Sequence, residues 1–138
     1  MQPLRIDENL AKRLALSPQL LSAGDTNGEE FDRLGTSEYP FEQVSLAVIV
    51  GADSGTPDSF TLDCVLQHSD TSGSDYTDLA SIAQIDGENE VEPVSYDITA
   101  AKRYLRPKFT AAFVNGSSPK LDVAALYIFG ASKKEPVA

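Results

Sequence analysis

The sequence has one cysteine, one histidine and no tryptophan, and each shortage closes off chemistry. Cys64 alone makes no internal disulfide and no paired-thiolate metal site. His68 alone excludes two-histidine metal centres and most serine–histidine relays. Between residues 41 and 100 there are twelve acids and no lysine or arginine, so the middle of the chain offers no basic patch to phosphates. The formal charge of −10 argues the same way for the whole molecule, because duplex binding needs clustered cations. Extended apolar stretches are also missing. Runs such as Leu46–Val50, five residues long, fall far short of the roughly 20 of a bilayer span. Met1–Asn9 leads into no apolar core of signal-peptide length. The expectation is a soluble product that neither enters a membrane nor needs an oxidising compartment.

What is there fits one globular domain. The chain has 138 residues, 41% of them hydrophobic and 23% charged. A chain of that size hides roughly 65–70% of its unfolded surface without disulfides. Charge is unevenly placed: residues 1–40 carry −3, residues 41–100 carry −12 and residues 101–138 carry +5. Two readings stay open. The acidic middle and basic end neutralise each other across strand pairs, or the molecule shows an acidic and a basic face to different neighbours.

Residues 1–40 read as an N-terminal arm. Leu10, Leu14, Leu16, Leu20 and Leu21 have loose helical spacing, but Pro18 stops any helix longer than two turns. Ser22–Glu30 is turn chemistry, so the arm holds at most one short helix or strand. Its leucines pack on the home domain or lie on another surface.

From Phe41 the period becomes two. Val44, Leu46, Val48 and Val50 share one face, and after the loop Gly51–Pro57 so do Phe60, Leu62, Cys64 and Leu66. The pattern predicts two half-buried strands joined as a hairpin. Cys64 then points inward and acts as a small hydrophobe. Tyr76–Ile85 fits neither period, and Pro93 confines Val91–Thr99 to an edge. Leu105, Phe109, Ala111 and Phe113 face one way in Lys102–Val114, as do Leu121, Val123, Ala125, Tyr127 and Phe129 in Lys120–Phe129. Asn115-Gly116 between them predicts a second hairpin. Short strands about ten residues apart point to an all-β sandwich or barrel. The expected organisation is an arm over 1–40, a β-sandwich over 41–130 and a frayed basic tail over 131–138.

Candidate chemistry is thin. His68, Ser69 and Asp70 are adjacent on a strand end, so they point to opposite faces and cannot relay a proton. Asp70–Asp75 has oxygens at alternate positions but lacks the glycine and the bidentate glutamate of a calcium loop. Asp86, Glu88, Glu90 and Glu92 alternate as a solvated face rather than a glycosidase pair. No catalytic residue, metal ligand or cofactor site is expected. Lys102, Arg103, Arg106 and Lys108 surround Tyr104, and this basic stripe suits an acidic protein surface better than nucleic acid.

Three segments carry a resemblance: Leu66-Gln67-His68-Ser69-Asp70, Arg103-Tyr104-Leu105-Arg106 and Ala124–Gly130. Over about the last 90 residues the chain resembles the jelly-roll capsid cement (decoration) proteins of tailed bacteriophages. Pro107, following the second segment, departs from the pattern because it removes a ladder donor.

The resemblance implies a jelly-roll-like antiparallel β-sandwich with an extended N-terminal arm. It also implies a structural role, not an enzymatic one, on the outer capsid surface of the virion. The chain, made in the bacterial host cytoplasm, would bridge major capsid subunits and self-associate as a dimer or trimer. Expected contacts are Leu10, Leu14, Leu20 and Leu21 of the arm, with Arg103, Arg106 and Lys108. Deleting residues 1–22 is then expected to leave a folded domain that no longer decorates shells, and salt is expected to weaken attachment. The alternative is a carbohydrate- or receptor-binding β-sandwich module of a tail or fibre, for which the sequence offers no tryptophan and no evident aromatic pair.

Overall fold

Period-two alternation builds almost the whole chain. The computed structural model describes residues 11–33, 41–88, 90–98 and 100–132. Among these are nine strands: β1 (Ala11–Leu21), β2 (Gly24–Asn27), β3 (Phe31–Asp32), β4 (Phe41–Ser54), β5 (Ser59–Ser69), β6 (Thr77–Ser81), β7 (Glu90–Asp97), β8 (Tyr104–Val114) and β9 (Lys120–Ser132). They form two antiparallel sheets. Sheet I runs β1-β9-β4-β7, and sheet II runs β2-β8-β5-β6 with β3 also on β8.

The order follows from rolling up one long hairpin. The first strand pairs the last, β2 and β3 pair β8, β4 pairs β7, and β5 pairs β6. Successive pairs alternate between the sheets, which is the winding of a jelly roll. The chain is therefore an all-β jelly-roll sandwich. Its core is the interleaved inner parity of both sheets. Val44, Leu46, Val48, Phe60, Leu62, Cys64, Leu105, Phe109, Val123 and Phe129 are all buried, as the alternation requires.

Both expected hairpins turn out to be corners between sheets. β4 and β5 lie in different sheets, and so do β8 and β9. Asn115 and Gly116 do take positive φ, 60° and 97°, so the dipeptide reverses the chain as its chemistry dictates. Local turn chemistry does not choose the partner, however. The inner faces of β8 and β9 cover each other across the core instead of lying side by side. The two corners also meet, where the Ser117 N–H donates to the Gly55 carbonyl at 2.8 Å. Gly55 has φ +81°, and a Cβ there would reach Pro119 Cα at 2.8 Å, so this approach requires glycine.

The boundary expected at residue 40 does not divide arm from sandwich among the described residues. β1 pairs β9 along its length, and Ala15, Leu16 and Leu21 sit in the core. Instead of one short element, the segment supplies three strands. Sequence spacing suggested a helix because two register shifts, Leu14/Leu16 and Leu16/Gln19, break the alternation around Pro18. At the other end β9 runs on to Ser132, beyond the expected tail boundary, and residues 133–138 lie outside the description.

A strap over residues 28–33 closes the gap between the sheets. The Gly28 N–H donates to Pro107 O and the Glu29 N–H to Ala15 O, each at 2.7 Å. The Tyr127 hydroxyl donates to Glu29 O at 2.9 Å. Phe31 stacks on Phe129 with centroids 4.3 Å apart. A Cβ on Gly28 would collide with Ala15 O and the Pro107 ring, so only glycine passes here. Pro107 is consequently no obstacle to β8 being central. β5 pairs it without interruption, while its missing N–H faces the break between β2 and β3, where no ladder bond is needed.

Candidate interaction surface

The outward parity of each sheet decides what the molecule shows its surroundings. On sheet II that parity is polar and internally engaged. Arg103 meets Asp32 through two bonds, Nε to Oδ1 and Nη2 to Oδ2, both 2.9 Å. Lys108 Nζ lies 3.5 Å from Asp25 Oδ2, whose other oxygen accepts from the Thr110 hydroxyl at 2.7 Å. The Thr110 hydroxyl and then the Lys108 charge hold the Asp25 carboxyl below its ordinary range. Arg106 stacks over the Tyr76 ring at 3.9 Å and donates to Gln67 Oε1 at 3.4 Å.

Glu30 ties this face to the loop before β6. Its carboxylate accepts from the Ser72 hydroxyl at 2.6 Å, from the Gly73 N–H at 2.7 Å and from the Tyr76 hydroxyl. Burial pushes the group up, but these bonds and the Arg106 charge outweigh it and hold Glu30 below the usual carboxylate range. The turn Asp70–Asp75 is thus occupied by the chain's own carboxylate.

Two cations of the basic stripe, Arg103 and Lys108, are ion-paired at home, and the acids near the stripe differ from those the sequence suggested. Asp25, Glu30 and Asp32 come from the first forty residues, not from the acidic middle. Arg103, Arg106 and Lys108 do share one face as expected, but as members of internal pairs.

Sheet I is the opposite. Register places Leu14 of β1, Leu126 of β9 and Ala47 of β4 in one row, with Ala124 beside Ile49 in the next and Ile128 flanking. None of these six positions is charged. The backbone pairing continues to Pro93 and Val91 of β7. Leu14 is 50%, Leu20 56% and Ile49 38% exposed. Among the described residues the fourth large exposed apolar side chain is Val114, which ends β8 on the other sheet.

Of the expected leucine contacts, Leu14 and Leu20 thus point outward, whereas Leu21 is 2% exposed and belongs to the core. Leu20 and Leu21 are successive residues of the regular end of β1 and point to opposite sides, so they cannot share a surface. Leu10 lies outside the described residues. Exposed Ile49 and half-buried Ala124, Leu126 and Ile128 are outward residues that the sequence expectation does not single out, and Ala47 between them is itself buried. The signal was Val123–Phe129, seven apolar residues in a row, which marks a strand whose two faces both avoid water.

The sheet edges, in contrast, are blunted. β1 carries two register shifts and Pro18, β7 carries Pro93, β6 has five residues and a shift of its own, and β2 and β3 are split. Shifts, prolines and short strands suppress edge-to-edge pairing.

Reactive groups are held within the fold. Burial pushes the Cys64 thiol up to about 12. The Ser69 hydroxyl is bound in its own turn, donating to Ser74 O at 2.5 Å and accepting from the Thr71 N–H at 3.0 Å, away from His68. The two tyrosines on the sheet II side are covered, Tyr76 by Arg106 and Tyr104 by Arg103 at 5.0 Å. Among the described residues no three His, Cys, Asp or Glu side chains gather as a metal site requires.

No protein-family model matches the chain, and no curated protein matches its sequence. Similar solved structures include the SPBc2 prophage-derived protein YomS, with 15% identity over 87% of this chain and 93% of that one, TM-score 0.41. Another holds the CBM22-1–GH10 modules of Clostridium thermocellum xylanase 10B complexed with xylohexaose. It has 11% identity over 91% of this chain and 30% of that one, TM-score 0.44. A third is the Tobacco streak virus coat protein dimer, with 13% identity over 98% and 93%, TM-score 0.34. Likeness at this level concerns architecture alone.

Proposed function

We propose that the chain is a structural capsid protein of a tailed phage. It sits on the outer surface of the shell, bridges neighbouring major capsid subunits and stabilises the mature particle, with no chemistry of its own. The observation carrying this reading is the uncharged apolar centre of the outer face of sheet I, around Leu14, Ile49 and Leu126, on a molecule of charge −10. Such a face on an otherwise polar, edge-blunted sandwich is suited to lie against another surface.

Magnitudes favour a lattice over a single partner. Three strands about 4.8 Å apart and a few residues deep make a patch of roughly 300 Å². At ~25 cal/mol per Å² its burial contributes about 7 kcal/mol. Association itself costs ~4–15 kcal/mol, and stable pairs bury about 800 Å² a side. One copy on one subunit is therefore marginal. A protein that touches several subunits at once, or associates with its own kind on the shell, gains the difference through effective concentration. Binding only the assembled shell also stabilises it by mass action.

Because the basic stripe is internally paired, apolar contact dominates, and attachment holds or strengthens as salt rises. This reverses the salt sensitivity expected from the sequence. Co-sedimentation tests the reading: the purified chain should pellet with mature shells of its phage and stay behind with free capsid subunits. Equal affinity for free subunits, or none for shells, contradicts it.

A further inference from the structure

The single histidine stands at the end of β5, where the strand meets the segment entering β8. The Lys102 N–H donates to His68 Nδ1 at 3.1 Å. An imidazole accepts a hydrogen bond at Nδ1 only while that nitrogen is unprotonated. The same few residues are held from a second side. Arg33 Nη1 donates to Ala101 O, and to Lys102 O at 3.0 Å, while the Arg33 N–H donates to Arg103 O at 2.9 Å. Ala101 and Ile98 are joined by a backbone bond of 3.1 Å, and Ile98 is buried. Residues 100–103 thus hang between a guanidinium and a neutral imidazole.

We propose that His68 is an acid-sensitive clasp on residues 100–103, closed when the imidazole is neutral and open when it is protonated. Protonation turns Nδ1 from acceptor to donor, so it faces the Lys102 N–H donor to donor. The new cation also sits between Lys102 and Arg33, with Asp70 the one acid opposing them. Flanking strands bring no further charge in register, since His68 stands opposite Thr77 of β6 and Leu105 of β8. The sandwich stays folded on opening, because its core lies elsewhere. Opening loosens the entry to β8 and the Arg103–Asp32 pair beside it.

Burial, then the Lys102 charge, lowers the His68 pKa from its ordinary 6.5, and the Asp70 charge opposes them. The folded state therefore prefers neutral histidine. The clasp's contribution is full above about pH 6.5 and fades as pH falls through the lowered value.

Amide exchange of the intact chain reads the clasp directly, with the Ile82 N–H, which bonds Cys64 O at 3.0 Å, as a pH-insensitive reference. The protection factor of Lys102 should drop about tenfold from pH 8 to pH 5, while that of Ile82 holds. His68→Gln supplies an acceptor at every pH and should keep Lys102 protected at both. Independently, the ¹⁵N shifts of wild-type His68 should show Nδ1 unprotonated at pH 8. Unchanged Lys102 protection, persistence of the pH effect in His68→Gln, or a protonated Nδ1 at pH 8 overturns the proposal.

Discussion

The two sheets share a core and differ in what they turn outward. On sheet II, charges are many and nearly all are answered by partners within the chain: Arg103 by Asp32, Lys108 by Asp25 and Arg106 by Gln67 and the Tyr76 ring. On sheet I the central rows hold leucine, isoleucine and alanine with no charge at all. A face whose charges are mostly met at home needs little from outside. A face left apolar beside water is stabilised by being covered. Charge density is thus a poor guide to which face is left without partners of its own, and a lack of charge is a better one.

The comparison breaks most severely if the first strand is removed. Sheet I owes one edge of its face to β1, and the core owes it Ala15, Leu16 and Leu21. Deleting residues 1–22 should therefore abolish cooperative thermal unfolding, contrary to the folded remnant expected from sequence. A remnant with a sharp transition would show that β1 is dispensable. Next in size is Phe31→Ala, which empties the stack on Phe129 and should cost about 3–5 kcal/mol in urea titration. A change under ~1 kcal/mol would mean the strap adds little to the core. Smallest is the paired substitution of Arg103→Gln and Lys108→Gln on sheet II. Exposed pairs contribute little, so neither the melting midpoint nor shell attachment should move beyond error. A marked loss of attachment would restore the basic stripe as a binding element.

Much of this was legible in the sequence, for reasons that can be named. Inner faces were readable because large apolar residues recur at every second position of β4, β5, β8 and β9, and a one-residue slip would carry that whole set to the outer face. Pro93 on β7 was assigned to an edge because a missing N–H has no place in a central ladder. Pairing was not readable. Asn115-Gly116 specifies a reversal, while the partners of β9 are β1, 100 or more residues earlier, and β4, 66 to 91 residues earlier. β1 itself was hidden by bulges that mimic helical spacing. The apolar outer face is marked in the sequence not by charge but by Val123–Phe129, which carries the pattern of a strand covered on both sides.

The central claim is that the outer face of sheet I attaches the chain to a shell. It is tested most directly by co-sedimentation of Ile49→Lys with mature shells at low and high salt, beside the wild type. Lysine makes the chain less negative, so repulsion from an acidic shell cannot explain a loss. The account predicts wild-type retention that holds or rises with salt and a folded Ile49→Lys that stays in the supernatant at both. Salt-released wild type, together with full retention of the variant, would contradict it.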